Sequence, residues 1–140
     1  MVYEMRLNES PFSKIKDGKK TVELRLYDYK RRKLNVGDKI IFTNLSNSEE
    51  QVAVIIKALY IYGSFRELFE DISPERCGNS ADNSVEELVA RMRNYYSETD
   101  EEIFGVLGIK IELTSLAEAR KEQEEIAEAM FDRYFPDGMK

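Results

Sequence analysis

The sequence predicts an α+β fold in which a small β-barrel of five strands is flanked by helices. Several strand patterns follow one another without regular intervening helices, which argues against a doubly wound parallel sheet. The longer strand patterns are also apolar on both faces, as in the strands of a small barrel. A chain of 140 residues with 42% hydrophobic residues is long enough for one domain with a core.

The N-terminal part predicts a strand, a short helix and a second strand. VYEMRL (residues 2–7) alternates as a strand does. Pro11 is suited to open the helix PFSKIKDG, and Gly18 is suited to end it with a positive φ. TVELRLY (residues 21–27) is the clearest alternation in the chain, with one apolar face and one polar face.

The middle and the end of the chain predict three more strands and three helices. A turn at residues 36–38 precedes the strand KIIFTN, and a loop over residues 44–50 precedes a long strand over 52–62. Capping boxes begin with Ser64, Ser84 and Ser115 and predict helices over 65–72, 85–96 and about 116–135. A last strand is predicted over residues 103–113, where Gly105 and Gly108 suggest a bend or bulge.

These elements divide the chain into a barrel domain, residues 1–114, and a C-terminal amphipathic helix, residues 115–140, packed on the same domain. One stripe of that helix is apolar and is expected to dock on the barrel, while a homodimer contact is the alternative reading. The stripe consists of Leu116, Ala119, Ile126, Ala127, Met130 and Tyr134.

Composition excludes several classes of function. Histidine is absent and Cys77 is the single cysteine, so imidazole catalysis and thiolate or histidine zinc sites are excluded. No metal and no cofactor is predicted. The chain has no apolar run of about 18 residues and no secretory signal, so we expect no membrane contact and a reducing compartment, most simply the cytoplasm.

Charge is distributed unevenly along this acidic chain of net charge −6. Residues 1–40 hold 11 Lys or Arg against 6 Asp or Glu, whereas residues 41–140 hold 10 against 21. The basic residues surround Lys20, at the turn entering the strand, and Glu23 and Arg25 on the strand, which share a face about 6–7 Å apart. Such a row either forms a surface ladder of ion pairs or binds opposite ends of a polar ligand. Further ligand-binding candidates are Tyr27, Lys30, Arg31, Arg32 and Lys33.

The stretch PFSKIKDGKKTVELRLYDYKRRKLNVGDKIIFTN resembles the N-terminal signature of the ASCH domain family, named for activating signal cointegrator homology. The signature is a short helix, then Gly-x-Lys-Thr-x-Glu-x-Arg, then Gly-Asp before a strand. It is matched at Gly18, Lys20, Thr21, Glu23, Arg25, Gly37 and Asp38. The resemblance implies a five- to six-stranded barrel related to the PUA fold, with RNA or a nucleotide bound in a cleft floored by Lys20, Glu23 and Arg25.

The resemblance also implies an alternative, because some members hydrolyse N4-acetylcytidine and others are described as ribonucleases. The lysine of the amidohydrolase members matches Lys20, but their threonine nucleophile falls at Glu23, and Thr21 is the neighbouring hydroxyl. Their catalytic glutamate comes from the middle region, where the candidates are Glu67, Glu70 and Glu75. The sequence thus favours RNA or nucleotide binding, then metal-independent hydrolysis with Lys20 and Glu23 as catalytic candidates, then a protein-interaction domain.

Overall fold

The computed structural model describes residues 1–137, and it confirms the α+β class. The strands are β1 (Val2–Leu7), β2 (Val22–Leu26), β3 (Lys39–Asn44), β4 (Asn47–Tyr62) and β5 (Val106–Thr114). The α-helices are α1 (Glu9–Lys16), α2 (Phe65–Asp71), α3 (Val85–Met92), α4 (Glu98–Phe104) and α5 (Leu116–Tyr134). Two 3₁₀ helices span Arg31–Lys33 and Pro74–Cys77.

The five strands form one sheet in the order β1-β3-β4-β5-β2. β1 pairs with β3 in parallel, and the other three pairs are antiparallel. The sheet curls into a half-barrel, so its two edge strands, β1 and β2, come close to each other. Arg25 of β2 reaches across this gap and donates to the main-chain carbonyl of Arg6 in β1 at 3.2 Å.

The inner face of the sheet holds the larger core. Residues of β3, β4 and β5 on this face pack against α1 and against Leu34, which follows the first 3₁₀ helix. This core contains Leu7, Phe12, Ile15, Leu34, Ile40, Phe42, Val54, Ile56, Leu107, Ile109 and Ile111. Phe12 and Ile15 are the buried residues of α1, as the sequence predicted.

The outer face of β2 and β5 packs against α2 and α3. Val22, Leu24 and Leu26 of β2 lie in this second core with Phe65, Leu68, Phe69, Ile72, Cys77, Leu88 and Val106. Gly108 allows the close approach of α2, since a Cβ there would lie 3.4 Å from Leu68 Cδ1 and 3.5 Å from Ile72 Cδ1. The apolar face predicted for β2 is therefore real.

The C-terminal helix α5 docks on the outer face by its first two turns only. Leu116 and Ala119 pack against Val2, Ile41 and Ala53. Further along the predicted apolar stripe, Ile126 is half-buried, and Met130 and Tyr134 are exposed. Residues 138–140, the end of the predicted segment 115–140, lie outside the described residues.

Several predicted boundaries need correction. Helix α1 begins at Glu9 rather than at Pro11, and β4 begins at Asn47, so the loop predicted over residues 44–50 is a tight turn. Helix α3 ends at Met92 instead of residue 96.

The predicted last strand, residues 103–113, also begins too early in the sequence, because β5 begins at Val106. Residues 98–104 form α4, capped by the Ser97 hydroxyl, and Gly105 ends this helix with a φ of 74°. The irregular register lies in β4 between Ile56 and Ala58, not at Gly108. Within residues 1–137, no helix combines the length and the apolar character needed to cross a membrane.

Candidate functional site

The polar row of β2 points to the inner face of the sheet. Glu23 pairs with Ile109 and Arg25 with Leu107 across the β2–β5 ladder. Directly opposed residues share a face, and both β5 residues belong to the inner core. The row therefore does not form a solvent-exposed ladder of charge pairs, and Glu23 is only 3% exposed.

The Glu23 carboxylate lies between two cations. Its Oε1 lies 2.8 Å from Lys20 Nζ and accepts from the Leu24 amide at 3.1 Å. Its Oε2 accepts from Arg25 Nε at 3.3 Å and from Arg25 Nη2 at 3.1 Å. Four donors occupy the roughly four lone-pair sites of a carboxylate. Glu23 is thus saturated by its own neighbours, and it fixes Lys20 and Arg25 in place.

The protonation of Glu23 follows from the same contacts. Burial by itself raises the pKa of this carboxyl, but the charges of Lys20 and Arg25 and the hydrogen bonds from Lys20 and the Leu24 amide outweigh burial. The pKa of Glu23 is held below its ordinary value. Glu23 is therefore an anion at neutral pH.

Lys20 is positioned by the end of α1 and by the second 3₁₀ helix. Gly18 takes a φ of 77°, and the Lys20 amide donates to the Lys14 carbonyl at 2.9 Å. Lys14 in turn donates from Nζ to the Gly78 carbonyl at 2.8 Å. A Cβ on Gly78 would lie 3.1 Å from the Lys20 side chain, and Gly78 has a φ of 83°. Gly78 therefore leaves the space that Lys20 occupies.

A cleft of about 420 Å³ opens beside this row, in the gap between the two edge strands. Its floor is Lys20, Glu23 and Arg25, and its facing wall comes from the end of β1 and the start of α1. The remaining wall comes from the segment after α3. The lining of the cleft includes Arg6, Lys14, Lys20, Glu23, Arg25, Cys77, Gly78, Arg91, Met92, Tyr95 and Tyr96.

The wall after α3 supplies aromatic surface. Tyr96 stacks on Phe65 with ring centroids 5.7 Å apart, while Tyr95 is 66% exposed. Burial raises the pKa of the Tyr96 hydroxyl, while the charge of Arg25 opposes that rise. Glu101 of α4 anchors this wall, because its carboxylate accepts from Arg93 Nη2 and from the Phe65 amide, both at 2.5 Å.

A second chamber, the basic bay, continues the gap beyond the contact between Arg25 and the Arg6 carbonyl. It measures about 450 Å³ and shares Arg6 and Arg25 with the cleft. Its lining is Tyr3, Glu4, Met5, Arg6, Arg25, Lys30, Arg31, Lys33 and Leu34.

The structure places the predicted basic residues in two different surroundings. Lys30, Arg31 and Lys33 line the bay. Arg32 turns away, donates to the Tyr27 carbonyl at 3.0 Å and covers the Tyr27 ring at 4.3 Å. Tyr27 packs on the inner core and lines neither chamber.

The two chambers are strongly positive although the chain is acidic. Among residues 1–137, the two chambers are lined by eight cations, Arg6, Lys14, Lys20, Arg25, Lys30, Arg31, Lys33 and Arg91, and by two carboxylates, Glu4 and Glu23. That is a formal excess of six positive charges on a chain of net charge −6. A concave surface of one sign on a body of the other attracts anions.

Apart from Glu23, the residues considered for hydrolysis do not join Lys20 in the cleft. Thr21 is not part of the cleft lining, and its amide donates to the Arg76 carbonyl at 2.9 Å. Glu67, Glu70 and Glu75 are exposed and also lie outside that lining. Cys77 does line the cleft, but burial raises the pKa of its thiol to about 11. A thiol with that pKa carries almost no thiolate at neutral pH.

Sequence reasoning missed Arg6, Lys14, Gly78, Tyr95 and Tyr96. Arg6 was assigned to a strand whose neighbour across the gap was unknown. Lys14 sits one turn before the helix-ending glycine, which is a usable signal for proximity to Lys20. The Tyr-Tyr pair was assigned to the end of a helix, and the early end of α3 turns it toward the cleft.

Comparison with known families and structures gives consistent results. The family model described as "ASCH domain" matches residues 5–115. Among curated proteins, none matches this chain.

Two solved structures are similar to this chain. The crystal structure of hypothetical protein PH0355 is 38% identical, with a TM-score of 0.71, over 81% of this chain and 100% of that one. The solution NMR structure of protein PF0455 from Pyrococcus furiosus is 36% identical, with a TM-score of 0.61, over 82% of this chain and 99% of that one. The family match ends at the N-cap of α5.

Proposed function

This chain belongs to the ASCH domain family, and from that membership we propose that its cleft binds a segment of single-stranded RNA or a nucleotide. The observation that carries the proposal is the charge reversal. Six excess positive charges line the cleft and the bay of a chain whose net charge is −6. A polyanion is the partner that such a concave basic surface favours.

The floor of the cleft supplies fixed donors. Lys20 uses one of its three N–H groups to contact Glu23. Arg25 donates to Glu23 through Nε and Nη2 and to the Arg6 carbonyl through Nη2. Two N–H groups of Lys20 and those of Arg25 Nη1 are left for phosphate or base oxygens. In this proposal Glu23 is a positioning residue, because its lone pairs are already occupied.

The aromatic wall supplies the second half of the recognition. Tyr95 and Tyr96 line the same cleft as the charged floor, together with Met92. Bases of single-stranded RNA stack on such rings, at about 1–3 kcal/mol per base. Stacking and ion pairing together suit a nucleotide better than a bare anion.

The same geometry ranks covalent amide hydrolysis of a modified nucleoside below binding. Covalent amide cleavage needs a nucleophile beside its activating base. In the described part of the cleft lining, the one carboxylate is Glu23, which is saturated, and the one thiol is Cys77, whose pKa is about 11. We therefore propose a binding module as the primary function.

The test is fluorescence anisotropy of a labelled single-stranded RNA pool at low and moderate salt. We expect affinity to fall as salt rises and Lys20→Gln to weaken binding about tenfold or more, since a central cationic donor is lost. Lys121→Gln is the matched control, because it removes the same charge from an exposed position on α5.

Equal binding by the two variants, or no binding by wild type, would overturn the proposal. The RNA is recovered after each titration and sized, and N4-acetylcytidine is incubated in parallel. Turnover that depends on Lys20 would move the protein to the hydrolase class.

A further inference from the structure

The basic bay contains a cation whose hydrogen bonding is incomplete. Arg31 forms an ion pair with Asp28 at 3.0 Å through Nη1, and its own amide donates to Asp28 Oδ1 at 3.1 Å. Its Nε is buried, and among residues 1–137 it has no hydrogen-bond partner. Buried polar atoms are nearly always paired, so residues 1–137 alone do not satisfy this guanidinium.

The surroundings of Arg31 define the chemistry of that partner. Five cations line the bay, namely Arg6, Arg25, Lys30, Arg31 and Lys33, against the one carboxylate of Glu4. Lys30 and Lys33 are exposed at its rim. Several N–H donors converging on a small volume suit the tetrahedral oxygens of a phosphate, which guanidinium groups bind strongly.

The neighbouring Arg32 shows that only some cations of the basic run line the bay. Arg32 Nε donates to the Tyr27 carbonyl at 3.0 Å, and its guanidinium covers the Tyr27 ring. One arginine of the pair is therefore satisfied by the protein, while the other lines the bay and has a buried Nε without a partner among residues 1–137. The basic run is not a uniformly solvated surface.

We infer that the basic bay is a phosphate subsite for the ligand whose base lies in the cleft. Arg6 and Arg25 line both chambers, so a group bound at Arg25 is adjacent to each of them. The inference rests on the proposed function and narrows it. The ligand is a nucleotide or an RNA strand that carries a phosphate next to the recognised base, and a free nucleoside fills only the cleft.

The test uses the arginine Nε–Hε signals in nitrogen-edited NMR spectra of the full chain. Arg31→Lys identifies the Arg31 signal by its loss. We expect a mixture of the four nucleoside 5′-monophosphates to shift the Arg31 signal, while the four free nucleosides leave it unchanged. The Arg32 signal is the internal control, and it stays in place because its donor is already engaged.

Competition against the labelled RNA pool gives a second, independent measurement. Wild type is expected to bind the monophosphates at least about tenfold more tightly than the nucleosides, and Lys30→Gln/Lys33→Gln is expected to lose most of that preference. Both lysines are exposed, so this variant retains the fold.

The outcomes separate the two proposals. Lys20-dependent binding without an Arg31 shift, or with an unchanged phosphate preference in the double variant, overturns the bay and leaves the cleft standing. If inorganic phosphate shifts the Arg31 signal with the same affinity as the monophosphates, the inference is also overturned, because the base would then add nothing to binding and the bay would be an independent anion site. If neither nucleosides nor monophosphates perturb the chain, the bay inference falls, and if the RNA pool also fails to bind, the proposed function falls with it.

Discussion

Two glutamates of this domain are buried to nearly the same degree, and they have different roles. Glu23 is 3% exposed and Glu101 is 4% exposed. Glu101 accepts from one arginine, Arg93, and from the Phe65 amide at the start of α2. Glu23 accepts from two cations and one amide.

The two glutamates differ in the net charge that remains once each is paired with its cations. The Glu101 charge is balanced by Arg93, and its second partner is a main-chain donor that opens α2, so the arrangement holds elements together. Glu23 with Lys20 and Arg25 keeps one positive charge in excess, and these residues line an open cleft. A buried carboxylate by itself is therefore no sign of a binding site. The excess of cations around it and the open volume beside it are the informative features.

Glu23→Gln should give the largest effect. Lys20 and Arg25, whose side chains are 10% and 15% exposed, would keep their charges without a counterion. We expect the free energy of unfolding to fall by about 3 kcal/mol, as for other broken buried pairs. Glu101→Gln is the matched variant and should lose about 2 kcal/mol, since one charged partner and one amide are affected.

Urea unfolding with and without added RNA sharpens the contrast. RNA should restore more stability to Glu23→Gln than to Glu101→Gln, because only the former leaves cations facing the cleft. Equal restoration of the two variants would contradict the distinction between them.

Acidification should reduce the contribution of Glu23 to the free energy of unfolding. Because its folded-state pKa is lowered, the stabilisation is complete above the ordinary glutamate pKa of about 4.3 and is lost as pH falls through the folded-state value. The gap in stability between wild type and Glu23→Gln should therefore be constant from pH 7 to pH 5 and narrow below about pH 4. Urea midpoints of both proteins across this range provide the measurement. A gap that stays constant down to pH 2 would argue against a stabilised anion at this position.

Exchanging each arginine for lysine should give the smallest effect. Both changes keep the charge and remove the two-pronged geometry of the guanidinium. Arg25→Lys should cost about 1 kcal/mol of stability. It should also weaken RNA binding several-fold, since lysine cannot contact Glu23 and the Arg6 carbonyl together.

Arg93→Lys is the counterpart for the second glutamate. It should cost a similar amount of stability, about 1 kcal/mol, and leave RNA binding unchanged. The measurements are urea unfolding and anisotropy on the same preparations. Weaker RNA binding by Arg93→Lys would mean that the wall anchored by Glu101 also takes part in recognition.

The grouping of Lys20, Glu23 and Arg25 could be predicted from the sequence because its signal is local. Alternation of period two placed Glu23 and Arg25 on one side of β2, and the helix-ending Gly18 placed Lys20 at its entrance. Burial of that face could not be predicted, because it depends on Ile109 and Leu107 of a strand far along the chain.

The walls of the site were missed for related reasons. Helix α4 was hidden because Ile103 and Phe104 continue into the apolar run of β5, and the break lies in the positive φ of Gly105. Without α4, neither the anchoring role of Glu101 nor the turn that brings Tyr96 to the cleft can be inferred. The approach of Arg6 to Arg25 depends on the curl of the whole sheet, and no single segment of the sequence predicts that curl.

The pairing of β2 with β5 also bears on how the chain folds. Leu26 lies opposite Val106, 80 positions later in the sequence, and β2 is an edge strand whose sheet neighbour is β5. Contacts of such long range close a large loop before pairing compensates the lost entropy, and they slow folding. In a chain emerging from the ribosome, Lys20, Glu23 and Arg25 are synthesised early but remain on an unpaired strand until β5 has been made. The floor of the cleft is thus encoded near the start of the chain and is assembled near the end of its synthesis.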